Sequence, residues 1–263
     1  MNNPYYKERI IAFVDILGFK EKIAKSNITR MEAESIHRAL NRIYKVKKDN
    51  EGSGFMNLKS QGVEVTTFSD SAVISYPAEK DNLLFLILDL IHLQLDLTMD
   101  DVLIRGGLTI GDLYHDGNIV YGPAMNMAYK LESQVAIYPR IIVDKAAIEQ
   151  YYAYVNGDEY DLNDIESLLR RDRDGLFYVD MLNQDQEMND AGTEYYEWLS
   201  VLRNIIITGL SHKDIAVKVK YQWLQEYFNE VVTDGEAYFP VPDEALYDDK
   251  NEFRKAYASL EIK

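Results

Sequence analysis

The stretch Arg9–Phe19 (RIIAFVDILGF) decides the fold. Its apolar, β-branched part, Arg9–Asp15, is typical of a buried β-strand. Asp15 ends this strand, and a glycine-containing turn separates it from a segment with helical spacing. A carboxylate at the tip of a buried strand suits a divalent metal ion that carries phosphates. It suits the N-terminal cap of a helix equally well, so position alone leaves both interpretations open.

Outward from this stretch, hydrophobic periodicity predicts the order strand, helix, strand, strand, helix, strand. The predicted segments are helices at Ile16–Lys25 and Arg30–Lys48, strands at Val63–Phe68 and Ala72–Tyr76, a helix at Asp81–Asp96 and a strand at Val102–Ile110. This order is the split, ferredoxin-like pattern, an α/β (α+β) fold with helices on one face of a sheet. A hairpin, a helix and a strand follow at Asp112–Tyr121, Pro123–Ser133 and Arg140–Val143. His115, in the hairpin turn, is expected at the surface.

Beyond residue 144 the pattern weakens. Asp158–Asp174 carries both charge signs and is expected to contain loops, whereas Asp214–Val232 is predicted to form an amphipathic helix. The acidic segment after Asp234 is expected to lie as an arm over the surface or over a partner. We therefore predict a main domain over residues 1–185 and a helical extension over residues 186–263 that packs on the domain or on a dimer partner.

Composition excludes several classes of protein. The chain has 263 residues, with 28 Lys and Arg against 44 Asp and Glu, and its net charge of −16 repels nucleic acid and anionic membrane surfaces. It has no cysteine, which excludes disulfides, zinc-thiolate sites and thiol nucleophiles. Polar residues interrupt the apolar segment Leu83–Leu97, which is expected to be a buried helix, and the amino terminus lacks the features of a secretory signal. We expect a cytoplasmic protein.

Asp70 is the second carboxylate of interest. It lies between Ser69 and Ser71 at the expected tip of a hairpin, and in a ferredoxin-like sheet this hairpin neighbours the first strand. Asp15 and Asp70 would then stand on adjacent strand ends. Two such carboxylates are the minimum for a pair of Mg²⁺ or Mn²⁺ ions, ~3.5–4 Å apart, that activate a hydroxyl for in-line attack on phosphorus. Taken alone, Ser-Asp-Ser is simply a favourable turn sequence.

A third segment, Gly122–Glu132 (GPAMNMAYKLE), has helical spacing. Asn126 and Lys130 are four residues apart, so both project from one face of the helix. There an amide and a cation could hold a ribose oxygen and a phosphate. In isolation, the same two residues are typical of a solvated helix surface.

Four blocks, in order over residues 10–145, resemble the catalytic domain of the class III nucleotidyl cyclases. They are Phe13–Phe19 (FVDILGF), Phe68–Asp70 (FSD), Ile104–Gly111 (IRGGLTIG) and Tyr121–Glu132 (YGPAMNMAYKLE). The resemblance implies an enzyme that closes a nucleoside triphosphate into its 3′,5′-cyclic monophosphate. It also implies two bound ions, Mn²⁺ or Mg²⁺, and a cradle for the triphosphate. The metal ligands would be Asp15, the Ile16 carbonyl and Asp70, and the cradle would be the backbone amides of Leu17, Gly18 and Phe19.

The resemblance also implies roles for three further side chains. Arg105 would neutralise the triphosphate, and Asn126 would orient the ribose. Lys130 stands where the family has an arginine that stabilises the transition state, and an ammonium group cannot form the bidentate contact of a guanidinium. In this family, the metal ligands and the Asn126 helix come from different subunits. The resemblance therefore implies a homodimer with composite active sites at the interface.

Thr66 and Ile119 occupy the positions that read the base in purine cyclases. Neither side chain carries the charge by which adenylate cyclases read adenine, and the pair does not match guanylate cyclases either. Because such sites discriminate through polar contacts to the base, this departure argues against purine selectivity. Thr66 and Ile119 would then only line the base pocket.

Within the class, the amino-acid sequences of several short blocks resemble those of the Pycsar pyrimidine cyclases. The blocks are FVDILGF, FSDS, RGG, GPAMN, DGLF at Asp174–Phe177 and YQWL at Tyr221–Leu224. These bacterial antiphage enzymes make cyclic UMP or cyclic CMP, which a downstream effector senses. The resemblance implies UTP as the preferred substrate, followed by CTP, and Arg171 or Arg173 could reach the triphosphate. Two alternatives stay open: a purine cyclase of the same fold, and a non-catalytic domain that binds a nucleotide or a partner.

Overall fold

The computed structural model describes residues 5–49, 62–155, 165–182, 194–233 and 247–263. Within it the chain forms two compact units, Met1–Val179 and Asp180–Lys263. The four sequence blocks that carry the resemblance all lie in the first unit. The functional division into a main domain and an extension stays a prediction.

The first unit combines strands and helices. Its strands are β1 (Lys7–Ile16), β2 (Glu64–Phe68), β3 (Ser71–Pro77), β4 (Ile104–Asp116), β5 (Ile119–Tyr121), β6 (Ile141–Val143), β7 (Leu169–Arg171) and β8 (Phe177–Val179). Its helices are α1 (Phe19–Ser26), α2 (Arg30–Asp49), α3 (Asn82–Met99), α4 (Pro123–Lys130) and α5 (Lys145–Val155). A π-helical turn, Leu131–Val135, continues α4.

The strands form one mixed sheet in the order β2-β3-β1-β4-β6-β8-β7, with β5 paired to β4. β1 lies between β3 and β4 and is antiparallel to both, and β2 is antiparallel to β3. β6 is parallel to β4. The first four strands therefore have the order and directions that the strand–helix–strand–strand–helix–strand pattern requires, and the predicted ferredoxin-like α/β fold is confirmed.

One apolar cluster joins α4 to the sheet. Its buried members are Ile11, Phe13, Val73, Leu113, Ala124 and Ala128. Because alternate residues of a strand share a face, Asp15 projects on the same side of β1 as Ile11 and Phe13. The end of β1 and the helix α4 therefore border the same face of the sheet.

The helix α3 is a core helix. By length and composition it could cross a membrane, but 61% of the segment is buried inside the protein. The buried helix predicted for this part of the sequence is confirmed.

One prediction about the strands needs correction. β4 runs to Asp116 because it pairs with β1 as far as Leu113 and then with β5, so the strand predicted at Asp112–Tyr114 is the end of β4. Within Asp158–Asp174, the segment expected to contain loops, Leu169–Arg171 forms the short strand β7. This strand pairs with β8 at the edge of the sheet, where charged side chains can remain in solvent. Residues 158–164 of the predicted loop lie outside the described residues.

The second unit is helical in its described part. Its helices are α6 (Glu194–Leu210), α7 (Ile215–Thr233) and α8 (Tyr247–Ala258). The amphipathic helix predicted at Asp214–Val232 corresponds to α7 and is confirmed. The segment after Asp234, predicted to be an arm, contains α8 in its described part, and Tyr257, Leu260 and Ile262 at its end are buried. Residues 234–246 lie outside the described residues.

Asp100, at the end of α3, ties α3 to α2. Its side chain is 5% exposed, its Oδ1 lies 2.6 Å from Arg38 Nε, and Arg42 Nε contacts its Oδ2. Burial alone would raise the pKa of the Asp100 carboxyl. The hydrogen bonds and charges of the two guanidinium groups outweigh burial, so the pKa lies below its usual range.

We expect Asp100→Asn to lower the free energy of unfolding by roughly 1–3 kcal/mol at neutral pH, because Arg38 and Arg42 both lose their ion pair with Asp100 and Arg42 keeps only its pair with Asp96. The carboxyl has a lower pKa in the folded chain than in the unfolded chain. Its ion pairs therefore contribute fully above about pH 4 and lose their contribution as the pH falls. Urea unfolding should accordingly find a smaller difference between wild type and variant at about pH 3 than at about pH 7. An equal difference at both pH values would contradict this role.

Candidate active site

Asp15 lies in a row of polar side chains across the sheet. Its register partners are Ser71 on β3 and Arg105 on β4, and direct partners project from the same face. The Ser71 hydroxyl donates to Asp15 Oδ1 at 2.8 Å, and Arg105 Nη2 lies 3.9 Å from Asp15 Oδ2. The row thus sets a carboxylate between a hydroxyl donor and a cation near the end of β1.

Asp70 lies at the tip of the β2–β3 hairpin, beside the end of β1. The tip is tied to β1 because the Ile16 N–H donates to the Asp70 carbonyl at 3.0 Å. Ser69 has a φ of 55°, in the left-handed region, and turns the chain at this tip. The negative charge of Asp70 contributes to a raised pKa of Asp15, after the larger effect of burial. The hairpin therefore places Asp70 beside the strand end that carries Asp15, close enough for the two charges to interact.

Glu132 is the residue of this cluster that the sequence interpretation missed. It lies in the π-helical turn after α4, its side chain is 4% exposed, and its Oε1 is 2.7 Å from Arg105 Nη2. The sequence contained a signal for Glu132, since this residue ends the fourth block that resembles the cyclases. Its contact with Arg105 is visible only in the structure.

The three carboxylates of the cluster repel one another. Burial raises the pKa of Asp15, and the charge of Asp70 adds to the rise. The Ser71 hydrogen bond and the charge of Arg105 oppose it. Burial also raises the pKa of Glu132, against the pull of Arg105. When all three carboxylates are ionised, three negative charges face one positive charge, and a divalent cation would cancel this excess.

The oxygen ligands of the cluster fit Mg²⁺ or Mn²⁺. Mg²⁺ is usually held by one or two carboxylates together with substrate phosphates, rather than by a cage of protein side chains. Within the described ranges, no group of three or more His, Asp or Glu side chains is arranged to hold a metal ion. A metal held by Asp15 and Asp70 would need further ligands, which the phosphates of a substrate could supply.

The turn after β1 has two amides that could face an anion. Gly18 has a φ of 73° at the start of α1, a conformation that favours glycine, and a Cβ there would meet no atom within 4 Å. The Leu17 N–H is engaged, because it donates to the Leu103 carbonyl at 2.8 Å. This leaves the amides of Gly18 and Phe19, at the N-terminus of α1, for the predicted triphosphate cradle.

Asn126 and Lys130 lie on the exposed face of α4, opposite the buried Ala124 and Ala128. They share one face, as their spacing predicts. In the part of the chain that the structure describes, neither side chain forms a hydrogen bond or an ion pair with the cluster around Asp15.

Thr66 and Ile119 have different environments. Thr66 is 4% exposed, and its hydroxyl donates to the Gly117 carbonyl at 2.5 Å. The same hydroxyl lies 2.9 Å from His115 Nε2, and the Ser75 hydroxyl lies 2.7 Å from the other ring nitrogen. Ile119, on β5, is exposed. The expectation that His115 lies at the surface is wrong, because two hydroxyl groups satisfy its ring in a buried position.

Arg171 and Arg173 lie on the β7–β8 hairpin. Arg171, the last residue of β7, donates to the Gly175 carbonyl at 3.3 Å and stacks 5.9 Å from the centre of the Phe177 ring. Arg173 is exposed in the turn that follows. Their contact with a triphosphate remains a prediction.

Among solved structures, the chain is similar to catalytic domains of guanylyl cyclases. One is the guanylyl cyclase domain of the RhoGC fusion protein from the aquatic fungus Blastocladiella emersonii, with 16% identity over 66% of this chain and 95% of that chain and a TM-score of 0.40. Another is the guanylate cyclase domain of RhGC from Catenaria anguillulae in complex with GTP, with 18% identity over 66% and 97% and a TM-score of 0.42. No family model and no curated protein matches the sequence.

The local geometry, rather than these distant likenesses, defines what the site can do. It joins a pair of acidic side chains, a cation and a glycine turn at one end of β1. Such a set can bind a metal–triphosphate complex and stabilise charge that develops on phosphate oxygens.

Proposed function

We propose that the protein is a nucleotidyl cyclase that converts UTP, and less readily CTP, to the 3′,5′-cyclic monophosphate and pyrophosphate. The observation that carries this proposal is the position of Asp15 and Asp70 on neighbouring strand ends, beside the turn at Gly18. In the reaction, the ribose 3′-hydroxyl loses its proton and its oxygen bonds to the α-phosphorus. The bond between that phosphorus and the bridging oxygen breaks, and pyrophosphate leaves.

The residues divide this work between them. Mg²⁺ or Mn²⁺, held by Asp15, Asp70 and the Ile16 carbonyl, would supply charge neutralisation and an acidified hydroxyl. The amides of Gly18 and Phe19 would bind the phosphates, and the guanidinium of Arg105 would offset their charge. Most of the rate enhancement would come from positioning and from electrostatic stabilisation, because the protein forms no covalent bond with the substrate.

A second copy of the chain would complete the site. Asn126 would orient the ribose and Lys130 would stabilise the transition state, and both are exposed. Apolar side chains surround this face of α4 and extend to the neighbouring hairpins. The exposed ones are Phe68, Ile119, Tyr121, Met127 and Tyr129. Exposed apolar surface of this kind is typical of a protein interface, which supports a homodimer with composite active sites.

The two residues proposed to line the base pocket support a pyrimidine substrate. Thr66 carries no charge, its hydroxyl is already hydrogen-bonded inside the protein, and Ile119 is apolar. A pocket with these residues lacks the charged partners that would select a purine. The product would act as a second messenger in the cytoplasm for a Pycsar-type antiphage effector, with no nucleic acid or membrane as partner.

Incubation with each of the four nucleoside triphosphates and Mn²⁺ tests the proposal. We expect cyclic UMP as the main product and cyclic CMP as the second, with one pyrophosphate released per cyclic nucleotide, and no product after chelation of the metal. Cyclic AMP or cyclic GMP as the main product would identify a purine cyclase of the same fold. Triphosphate binding without pyrophosphate release would identify a nucleotide-binding domain and overturn the cyclase proposal.

A further inference from the structure

Arg105 is anchored to the π-helical turn rather than to Asp15. Its Nη2 lies 2.7 Å from Glu132 Oε1, and its Nη1 donates to the Ala136 carbonyl at 3.3 Å. The same Nη2 is 3.9 Å from Asp15 Oδ2, beyond hydrogen-bond distance. Arg105 therefore has a close carboxylate partner in Glu132 and a more distant one in Asp15.

The fold holds Glu132 in place through its backbone. A Cβ at Gly107 would lie 2.4 Å from Leu131 Cβ and 3.1 Å from the Glu132 nitrogen, so the glycine lets the π-helical turn approach β4 closely. Arg105 and Gly107 share one face of β4, because they are two residues apart. Single π-helical turns inside helices are frequent at functional sites. The turn and the glycine together set the Glu132 carboxylate over Arg105.

A guanidinium beside a metal-binding carboxylate competes with the metal. If Arg105 lost its contact with Glu132, a shift of about 1 Å would bring it within hydrogen-bond distance of Asp15. A direct Asp15–Arg105 pair would occupy an oxygen that a divalent cation needs. It would also turn the guanidinium away from its present direction.

We propose that Glu132 is a positioning residue that holds Arg105 off Asp15 and so keeps Asp15 available to a divalent cation. This role rests on the proposed function, since it assumes that Asp15 and Asp70 bind the metal of a triphosphate complex. Glu132 acts through Arg105 and has no direct contact with the substrate in this role.

A double-mutant cycle on Mn²⁺ binding tests the role without turnover. The variants are Glu132→Gln, Arg105→Gln and the combination, and free Mn²⁺ is measured by electron paramagnetic resonance in the absence of nucleotide. We expect Glu132→Gln to weaken Mn²⁺ binding about tenfold. We expect Arg105→Gln to strengthen it about tenfold more in the Glu132→Gln background than in the wild type.

The cycle separates positioning from charge alone. If only the summed charge mattered, Arg105→Gln would strengthen Mn²⁺ binding by the same factor in both backgrounds, and that result would overturn the proposal. Unchanged Mn²⁺ affinity in Glu132→Gln would overturn it as well. Glu149→Gln is the control, because Glu149 is an exposed carboxylate paired with Lys145 at 2.7 Å, and we expect wild-type Mn²⁺ binding.

Folding and the enzymatic proposal are checked separately. Circular dichroism reports whether each variant folds, and Glu132→Asp, which keeps the charge, replaces Glu132→Gln in the cycle if the latter does not. With Glu132→Asp the coupling should keep its sign and be smaller. If the effects of the two mutations on Mn²⁺ binding are coupled but no triphosphate gives a cyclic product, the enzymatic proposal alone is overturned. If the effects of the two mutations on Mn²⁺ binding are additive and the cyclic product forms normally, the positioning role alone is overturned.

Discussion

Asp70→Ala should give a folded protein in which production of cyclic nucleotide falls by roughly 10³-fold or more. The variant removes one of two carboxylates available to the metal, and Asp15 alone cannot hold a pair of ions. The fold should survive, because the hairpin tip is tied to β1 through the Asp70 carbonyl, which alanine retains. Removal of the Asp70 charge also relieves a repulsion on Asp15.

Product chromatography measures the loss of cyclic nucleotide, and circular dichroism measures whether the variant is folded. Asp81→Ala is the matched control, because Asp81 is exposed and its side chain forms no capping hydrogen bond with α3. It lies beyond the opposite end of β3 from Asp70, and its activity should be that of the wild type. Wild-type levels of cyclic nucleotide from Asp70→Ala would refute the proposed metal site.

Gly107→Ala should lower both the stability and the turnover of the protein. Its Cβ would lie 2.4 Å from Leu131 Cβ and 2.6 Å from the Ala128 carbonyl, and neither is the end of a flexible side chain. We expect the free energy of unfolding to fall by roughly 1–3 kcal/mol from this overpacking. We also expect turnover to fall by about 10²-fold, because the π-helical turn must move away from β4 and take Glu132 with it.

Urea unfolding and initial rates of cyclic-nucleotide formation test the Gly107 expectation. Asp112→Ala, at an exposed position of the same strand, should change stability by no more than about 0.5 kcal/mol. A Gly107→Ala protein with wild-type stability and rate would mean that the close approach of β4 and the π-helical turn is unimportant. A loss of stability with an unchanged rate would mean that the close packing at Gly107 contributes to stability but not to the position of Arg105.

The sequence predicted the fold where local patterns were strong. The apolar, β-branched run Arg9–Asp15 indicated a buried strand, and the order of the following segments was sufficient for the arrangement of the first four strands. The sequence also predicted that Asp15 and Asp70 lie on adjacent strand ends, because in this topology the first strand and the hairpin are neighbours. The helix α7 was equally clear, since its apolar residues recur at helical spacing over a long segment.

The remaining features depend on contacts that local patterns do not contain. Glu132 faces Arg105 because a π-helical turn changes its direction, and the Leu17 amide is engaged because the Leu103 carbonyl lies opposite. The burial of His115 requires two hydroxyl groups from other strands. The charged sequence of β7 has no buried apolar face, so only pairing with β8 makes it a strand.

With Thr66 in the proposed base pocket, the buried chain of contacts behind it would tie the choice of substrate to the integrity of the fold. Thr66, His115 and Ser75 are joined in series, and Arg9 Nε donates to the Ser75 hydroxyl at 2.8 Å. A lysine introduced at position 66 to recognise adenine would remove a partner of the imidazole and bring a second cation towards a buried guanidinium. Evolution or engineering of a new nucleobase preference at this position would therefore require several coordinated replacements in the interior.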